Sequence, residues 1–322
     1  MKVGVFAVIF GDMQLEPAMD FIKEAGCDAV EIGTGAYPGA PHCPLDELVG
    51  DKSKAQAWMK KITGRGLEIS ALSCHGNPIH PDQKIAKEHA DVFRKTIDLA
   101  SMLGIETVIN FSGCPGDHSG AKYPNWVTCP WPPDFGEIIK YQWNEVAIPY
   151  WKEMNGYMKS KNVRVGLEMH PGFIVYNPES ALCLRESCGE QIGVNFDPSH
   201  LFWQGMDPVY GIRKLGEAGA IFHFHAKDCK IDEINTKTHG VLDTKSYTDE
   251  LHRTWIFRTI GYGHDTQIWK DMISNLRLIG YDGALSIEHE DSLMSGREGF
   301  KKAVSFLKDV MISEMPGPAY WA

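Results

Sequence analysis

A short apolar run that ends on or beside a carboxylate or an imidazole recurs four times in this sequence and constrains its fold more than any other feature. The four polar residues are Glu168, Asp197, His225 and Glu288, which lie 29, 28 and 63 residues apart. A strand, its following helix and the return to the next parallel strand take about 30 residues. The spacing therefore predicts parallel strands joined by helices, with the four side chains at the same ends of those strands.

The alternation of strand and helix extends over the whole chain. Several strands are apolar throughout, as parallel strands buried on both faces are. We predict an α/β fold, a single-domain (β/α)8 TIM barrel over residues 1–322, with long loops after strands 4 and 7. An open doubly wound sheet is disfavoured because the turn after the first strand lacks the G-x-G-x-x-G motif. The predicted strands are Val3–Ile9, Asp28–Ile32, Leu67–Ser73, Ile105–Phe111, Val163–Met169, Ile192–Phe196, Ala220–Ala226 and Gly283–Ile287.

Three segments stand outside the barrel pattern. Ser112–Gly136 is rich in proline, glycine and aromatic residues, and we expect either an ordered lid or an apolar flap docked on the barrel rim or on a neighbouring subunit. Lys227–His264 is a 38-residue insertion before the seventh helix. The apolar tail Pro316–Ala322 is expected to dock on its own barrel or on a neighbour.

Composition excludes some classes of partner. The formal net charge of −10 argues against nucleic acid, whose affinity for proteins comes mainly from clustered Lys and Arg. Apolar runs stay below the 18 residues of a membrane helix, so no membrane partner is expected. The eight cysteines form no C-x-x-C pair, which disfavours a structural zinc site and predicts reduced thiols in a cytoplasmic protein.

The polar residues near the predicted strand ends form a candidate site, because barrel active sites lie at the C-terminal ends of the strands. Buried charges there are costly unless they are paired or bind a metal. Three carboxylates and one imidazole favour Mn²⁺, with Mg²⁺ or Co²⁺ as alternatives. His200 is expected to contact a substrate oxygen or to orient Asp197. The strand-end residues are Glu31, His75, Asn110, Glu168, His170, Asp197, His200, His223, His225 and Glu288.

The motifs around these residues resemble the sugar isomerase/epimerase family of the xylose isomerase-like TIM barrels. The resemblance is carried by Gly-Leu-Glu-Met-His-Pro-Gly, Asn-Phe-Asp-Pro-Ser-His, His-Phe-His-Ala-Lys-Asp and Ser-Ile-Glu-His-Glu. It implies that Glu168, Asp197, His225 and Glu288 hold the metal, and that Glu168 and Glu288 also form the acid/base pair. Arg258, in a loop similar to one that contacts substrate in relatives, would hold a sugar oxygen, with a surface salt bridge as the alternative. The expected substrate-binding residues are His75, Asn110, His170, His200, His223 and Arg258.

The implied activity is a divalent-metal-dependent sugar isomerase or epimerase that transfers a proton through an enediolate. The alternative is a lyase on 3-oxo-glycosides, like the α-subunits of C-glycoside deglycosylases, or a dehydratase. An abasic-site endonuclease is less favoured, because Asn110 stands where that family needs a histidine. The partners expected are a small-molecule sugar, non-phosphorylated because Glu290 and Asp291 are acidic, and further copies of the chain. A small second subunit is conceivable for the lyase.

Overall fold

In the computed structural model, which describes residues 1–314 and 317–321, eight parallel strands close into a barrel. The strands in the described residues are β1 (Lys2–Phe6), β2 (Ala29–Gly33), β3 (Glu68–Ser73), β4 (Thr107–Phe111), β5 (Arg164–Glu168), β6 (Ile192–Phe196), β7 (Ile221–Ala226), β8 (Asp228–Ile231), β9 (Trp255–Arg258) and β10 (Ala284–Ile287). All but β8 and β9 belong to the barrel, in the ring order β1-β10-β7-β6-β5-β4-β3-β2. The predicted (β/α)8 barrel is confirmed.

Helices surround the barrel and mostly begin on residues whose side chains accept a backbone N–H. Asp82, for example, caps the helix that starts at Gln83, and Gly104 ends that helix in the left-handed conformation. The helices in the described residues are α1 (Leu15–Glu24), α2 (Leu45–Gly50), α3 (Lys52–Thr63), α4 (Gln83–Leu103), α5 (Asp134–Tyr141), α6 (Ile148–Lys161), α7 (Pro178–Cys188), α8 (Pro198–Trp203), α9 (Pro208–Glu217), α10 (Glu233–His239), α11 (Thr266–Leu278) and α12 (Gly296–Val310). None of these helices combines the length and the apolar character needed to cross a membrane.

Two of the differences from the predicted elements lie at the first strand and at the helix that follows the β4 loop. The first strand ends at Phe6 rather than at Ile9, because the chain turns into a 3₁₀-helix over Ala7–Phe10. The sequence pattern predicts one helix over about residues 138–160, but a π-helical stretch, Gln142–Ala147, divides it. Pro149, two residues beyond this stretch, has no N–H to donate into the α-helical ladder, which accounts for an interruption at this point.

Hydrogen-bonding side chains line the inside of the barrel near its C-terminal end. The strand registers place Glu168 opposite Asn195, Asn195 opposite His223, and Ser286 opposite His225. Residues in register on neighbouring strands share a side of the sheet, so these side chains all point inward. The register of the strands therefore assembles the site.

The long insertion after β7 is an ordered hairpin rather than an unstructured loop. β8 and β9 pair antiparallel, with Cys229 opposite Phe257. Behind them, the buried carboxylate of Asp228 accepts three backbone N–H groups of the segment 261–264 and the ring nitrogen of His264. A side chain at Gly263 would come within 2.4 Å of this carboxylate, so only glycine fits there. The hairpin is consequently a fixed wall beside the barrel mouth.

The loop after β4 is docked at its base and exposed at its tip. The buried side chain of Gln142 donates to three backbone carbonyls of this loop. Trp126 packs edge-on against Tyr176, with ring centroids 5.6 Å apart. At the tip, Tyr123 and Trp131 are 68% and 70% exposed. The segment is thus fixed to the barrel rim but leaves two aromatic rings uncovered.

The apolar C-terminal tail is described only in part. Pro316 and Ala322, the two ends of the predicted docking segment, lie outside the described residues. Within it, the side chains of Tyr320 and Trp321 are 93% and 77% exposed. These two rings are accordingly not packed on the described part of their own barrel.

Candidate metal centre

The four residues predicted as metal ligands meet at the C-terminal end of the barrel. Glu168 is the last residue of β5, Asp197 and Glu288 directly follow β6 and β10, and His225 lies near the end of β7. Each offers one oxygen or nitrogen atom, and these atoms all lie within 4.8 Å of one another. The side chains of Glu168, Asp197 and His225 are almost fully buried, and that of Glu288 is 14% exposed. We refer to these four residues as the ligand cluster.

Asp197 shows that the ligand cluster fits a divalent cation. Its Oδ1 atom accepts the backbone N–H of Ser199 at 2.8 Å and so caps α8. Its Oδ2 atom is buried without a hydrogen-bond partner, although Lys227 Nζ lies 3.0 Å away. A buried carboxylate oxygen without a hydrogen bond is costly. Three carboxylates and one imidazole are a donor set suited to Mn²⁺ or Mg²⁺, so the residues present fit such an ion.

Glu31 orients His225 from the side away from the ligand cluster. The fully buried carboxylate of Glu31 lies 3.0 Å from His225 Nε2 and also accepts the hydroxyls of Ser73 and Ser286. His225 Nδ1 consequently faces Glu168 at 3.1 Å and Glu288 at 3.2 Å. Burial opposes ionisation of Glu31, but His225 and His223 outweigh it and lower its pKa to about 2. A carboxylate that fixes the tautomer of a metal-binding histidine is common in metal sites.

Replacing Glu31 with glutamine is expected to weaken the affinity for Mn²⁺ about 10- to 100-fold, because the orientation and basicity of His225 would be lost. Calorimetric titration of metal-free protein with Mn²⁺ measures this directly. Glu68→Gln is the matched control, since Glu68 lies on the same barrel at the opposite, exposed end of β3. Equal affinities in the Glu31 variant and the wild type would show that Glu31 does not support the ligand.

Glu168 is the most heavily hydrogen-bonded carboxylate of the ligand cluster. His75 Nε2 and Asn195 Nδ2 each lie 3.0 Å from its Oε2 atom, and His200 Nε2 lies 3.2 Å from Oε1. Burial opposes its ionisation, but hydrogen bonds from His200, His225 and His75 outweigh it and hold the pKa of Glu168 well below its usual value. Glu168 is therefore held as a fixed, ionised carboxylate.

Comparison with known proteins shows the family of this barrel. A family model described as the xylose isomerase-like TIM barrel matches residues 19–310. The chain belongs to this family. The uncharacterized protein YfiH of Bacillus subtilis is 38% identical over 314 residues, covering 97% of this chain and 99% of YfiH.

Two solved structures show the same fold as this xylose isomerase-like barrel. A D-tagatose 3-epimerase-like protein is 22% identical, with a TM-score of 0.63 over 96% of this chain and 98% of the other. The IolI protein, solved with a bound zinc atom, is 18% identical, with a TM-score of 0.64 over 96% and 98% of the two chains. At these identities the likeness extends to the fold alone.

Lys227 is a charged residue of the site that the sequence analysis did not include among the site residues. Its ammonium lies 3.0 Å from Asp197, 2.6 Å from Glu288 and 3.0 Å from Glu290. Burial opposes this charge, but the three carboxylates outweigh it and hold the pKa of Lys227 well above its usual value. A sequence signal was present: Lys227 continues the alternation of His223 and His225, which places all three on one side of the chain.

Three of the expected substrate-binding histidines lie around the ligand cluster. His75 and His200 contact Glu168 directly. The ring of His170 lies 4.1 Å from the ring of His200, and its Nδ1 atom is 2.6 Å from the carbonyl oxygen of Pro171. These histidines form one side of the barrel mouth.

The side chain of Asn110, also expected to bind substrate, is engaged by the backbone instead. Its Oδ1 atom accepts the N–H groups of Gly76 and Phe111, each at 2.8 Å. The next residue, Phe111, points inward, and its ring lies 4.7 Å from that of His75. The β4 strand therefore gives the site an aromatic ring where an amide was expected.

Within the described residues, His223 and Arg258 make no hydrogen bond to the ligand cluster, although the His223 ring lies 5.7 Å from that of His225. His223 Nε2 is 3.2 Å from the hydroxyl of Ser70, and the ring borders a cavity of about 470 Å³ at the N-terminal end of the barrel. Arg258 Nε lies 3.0 Å from Asp291, and the side chain of Arg258 is 15% exposed. The structure does not bring these two residues together with the other expected substrate contacts.

A cavity of about 390 Å³ lies at the barrel mouth. Two of its lining residues, Phe257 and Glu290, contact Lys227, which in turn contacts the ligand cluster. This volume is within the range of small-molecule sites, which are usually lined by apolar side chains with a few polar groups. The hairpin supplies its aromatic side, and the segments after β5 and β10 supply its polar groups. The lining residues are His170, Tyr247, Ile256, Phe257, Glu290 and Ser292.

Acid should destabilise the metal-free protein through its buried neutral histidines. Burial lowers the pKa of His170 to about 3 and that of His223 to about 4. An unfolded histidine titrates near pH 6.5, so below that pH the unfolded chain binds more protons than the folded chain. The stability from these two residues is complete above about pH 6.5, and each loses up to about 1.4 kcal/mol per pH unit as the pH falls toward its folded pKa.

Urea unfolding of EDTA-treated protein between pH 6.5 and 5 tests this expectation. The free energy of unfolding should fall less steeply with acid in His223→Gln than in the wild type. The control variant is His239→Gln, at an exposed histidine of α10. Identical slopes for all three proteins would contradict the assignment of His223 as a neutral buried group.

Proposed function

We propose that this chain is a divalent-metal-dependent sugar isomerase or epimerase that transfers a proton next to a carbonyl through an enediolate. The observation that carries the proposal is the pair Glu168 and Glu288, two ionised carboxylates within one buried ligand cluster at the C-terminal end of the barrel. Glu168, Asp197, His225 and Glu288 would hold the ion, with Mn²⁺ as our first choice. The epimerase-like structural neighbour is consistent with this chemistry.

A divalent ion at the ligand cluster would polarise a substrate carbonyl and so acidify the neighbouring C–H group. Glu168 and Glu288 reach the cluster from β5 and β10, which are separated by two strands of the ring. They therefore approach a bound sugar from different directions. We assign to one of them the removal of the proton, and to the other, after it has taken up a proton from solvent, the return of a proton to carbon. Return to the adjacent carbon is isomerisation, whereas return to the opposite face of the same carbon is epimerisation.

The residues around the two carboxylates support these roles. Burial opposes ionisation of Glu288, but Lys227 and His225 outweigh it and hold its pKa well below its usual value. Both glutamates are thus available as proton acceptors. We assign His75, His170 and His200 to the sugar hydroxyls. His75 and His200 contact Glu168, and His170, which lines the cavity, packs against His200. The proposed substrate contacts also include Asn110, His223 and Arg258. Their side chains would have to change conformation to reach a bound sugar.

The proposed sugar is not phosphorylated. The ammonium of Lys227 is already surrounded by three carboxylates, and Arg258 is paired with Asp291. Glu290, which lines the cavity, would repel a phosphate. A phosphorylated ketose that reacted far faster than its free form would overturn this part of the proposal.

One observation favours a lyase as the second candidate. Lys227 places its ammonium, a proton donor, 2.6 Å from Glu288. After Glu168 or Glu288 has removed the proton, this ammonium could protonate an oxygen that leaves from the β carbon. The product of a 3-oxo-glycoside would then be smaller than the substrate. An isomerase or epimerase gives a product of unchanged mass.

Incubation in D₂O with Mn²⁺ distinguishes these reactions. The substrates are a panel of free ketoses and 3-oxo-glycosides, and the readout is mass spectrometry. Deuterium uptake on an unchanged skeleton supports the isomerase or epimerase, while release of the aglycone supports the lyase. EDTA-treated protein is the control. If no member of the panel showed either deuterium exchange or aglycone release, both reactions would be rejected.

We further propose that the chain forms a homo-oligomer. The uncovered rings of Tyr320 and Trp321 and of Tyr123 and Trp131 are candidates for the contact. A small second subunit belongs to the proposal only if the lyase is correct. Light scattering that gave the mass of one chain would reject the oligomer.

A further inference from the structure

We propose that His223 is a positioning residue for Glu168, on which it acts through Asn195 from deeper in the barrel. The role rests on the proposed function, in which Glu168 transfers a proton. In the observed conformation the imidazole of His223 borders the cavity at the N-terminal end of the barrel. From there it holds a hydrogen-bond partner of the carboxylate rather than the substrate.

Three side chains on neighbouring strands form a line of hydrogen bonds. Asn195 Nδ2 donates to Glu168 Oε2 over 3.0 Å, and Asn195 Oδ1 lies 3.0 Å from His223 Nδ1. Each of the three residues is at most 2% exposed, so bulk water does not compete for these contacts. The line therefore connects an imidazole on β7 to a carboxylate on β5.

The chemistry of the three groups fixes the direction of each hydrogen bond. The ionised carboxylate of Glu168 can only accept, so the Asn195 amide must present its Nδ2 atom to Glu168 and its Oδ1 atom to His223. An amide oxygen also only accepts, so His223 must carry a proton on Nδ1. The imidazole consequently determines which end of the amide faces the carboxylate.

A shift in strand register makes this contact possible. A regular ladder between β6 and β7 would place Asn195 opposite Phe222, but the pairing slips by one residue and Asn195 is opposite His223. Irregularities of this kind re-aim a side chain and are frequent beside active sites. The ring of Phe222 lies where a Cβ at Gly193 would be, so position 193 has to lack a side chain. Gly193 thus accommodates the slip that directs His223 at Asn195.

The two ring nitrogens of His223 have separate partners, so their contacts can be removed one at a time. Nε2 lies 3.2 Å from the hydroxyl oxygen of Ser70, on the side away from Asn195. The side-chain amide of asparagine lies near the Nδ1 position of a histidine, whereas that of glutamine lies near the Nε2 position. His223→Asn therefore keeps a donor toward Asn195, and His223→Gln keeps only the contact with Ser70.

His223→Gln should lower kcat about tenfold while KM changes less than about twofold, because Glu168 loses support but the sugar loses no contact. His223→Asn should keep kcat within about threefold of the wild type. The rates are measured with the substrate of the deuterium panel that reacts fastest, and His239→Gln, at an exposed histidine of α10, is the control. Equal losses of kcat in the two His223 variants would overturn the role. A raised KM at unchanged kcat would also overturn it and assign His223 to the substrate.

A double-mutant cycle tests whether the effect passes through Asn195. Asn195→Ala removes the amide, so adding His223→Gln to it should lower kcat less than about twofold further. Effects that multiplied in the double variant would show that His223 acts by another route. Urea unfolding of each variant establishes that the barrel is folded.

Nitrogen-15 NMR of the full chain, with EDTA present to exclude paramagnetic ions, tests the hydrogen bonds without reference to activity. We expect the ring proton of His223 on Nδ1. The side-chain amide signals of Asn195 should move in His223→Gln and stay near their wild-type positions in His223→Asn. A proton on Nε2 alone, or Asn195 signals that stay in place in both variants, would overturn the inference. If no substrate of the panel reacted, the proposed function would fall, while these signals would still decide whether His223 orients Asn195.

Discussion

Replacing Glu288 with glutamine should lower the rate of proton transfer at least about a hundredfold, and up to about 10⁴-fold, in either the isomerase or the lyase reaction. The substitution keeps the size of the side chain but removes a charge from the ligand cluster and a group that carries a proton. Lys227 and His225 would also lose the carboxylate that they contact at 2.6 and 3.2 Å. The loss should therefore appear for every substrate that the wild type accepts.

The measurement is deuterium incorporation or product release at saturating Mn²⁺, with the metal content of each protein determined in parallel. Glu298→Gln, at an exposed glutamate in the first turn of α12, is the matched control. A variant that retains Mn²⁺ but loses turnover would separate proton transfer from metal binding. Wild-type rates in Glu288→Gln would refute the mechanism for both reactions.

Replacing Asp197 with asparagine should remove most of the bound metal, from about one ion per chain to almost none. The chain contains a closely matched control in Asp207. Both residues precede a proline, and both cap a helix by accepting the N–H of the residue two positions later at 2.8 Å. Asparagine caps helices about as well as aspartate, so both substitutions should leave the caps intact.

Only Asp197 directs a second oxygen into the ligand cluster, whereas Asp207 is exposed on the outer side of the barrel. Elemental analysis of the two variants, purified in the presence of Mn²⁺, should consequently show metal in Asp207→Asn and little in Asp197→Asn. Similar unfolding temperatures for the metal-free variants would confirm that the caps survive. Equal metal contents would remove Asp197 from the proposed ligands.

The sequence was sufficient for the barrel and for the juxtaposition of the four ligand-cluster residues. Polar residues at strand ends separated by one strand-helix unit must come together once parallel strands close into a ring. It was harder to predict which side chains of β4 point into the barrel. Asn110 attracted attention because it is polar, yet its amide satisfies two backbone N–H groups and the inward position belongs to Phe111. Short-range hydrogen bonds of this kind are not visible in an apolar pattern.

The hairpin after β7 could not be predicted for a different reason. Its two strands, β8 and β9, have four residues each and are separated by a long connection. Their pairing depends on Asp228, whose carboxylate accepts hydrogen bonds from backbone N–H groups more than 30 positions further along the chain. Glu31 and Ser286 similarly meet across 255 residues. Such contacts follow from the closed barrel and become evident only when the register is known.

The adjacency of Lys227 and Asp228 has a consequence for engineering. Lys227 faces the ligand cluster, while Asp228 anchors the segment 261–264 behind the hairpin. The intervening stretch, residues 229–260, contains three residues that line the cavity, Tyr247, Ile256 and Phe257, and none of the four candidate metal ligands. It can therefore be exchanged as a cassette with the corresponding stretch of a relative, joined after Asp228 and before Gly261. Such chimaeras would show whether substrate preference resides in this stretch, because the ligand cluster and the Asp228 anchor stay those of the parent chain.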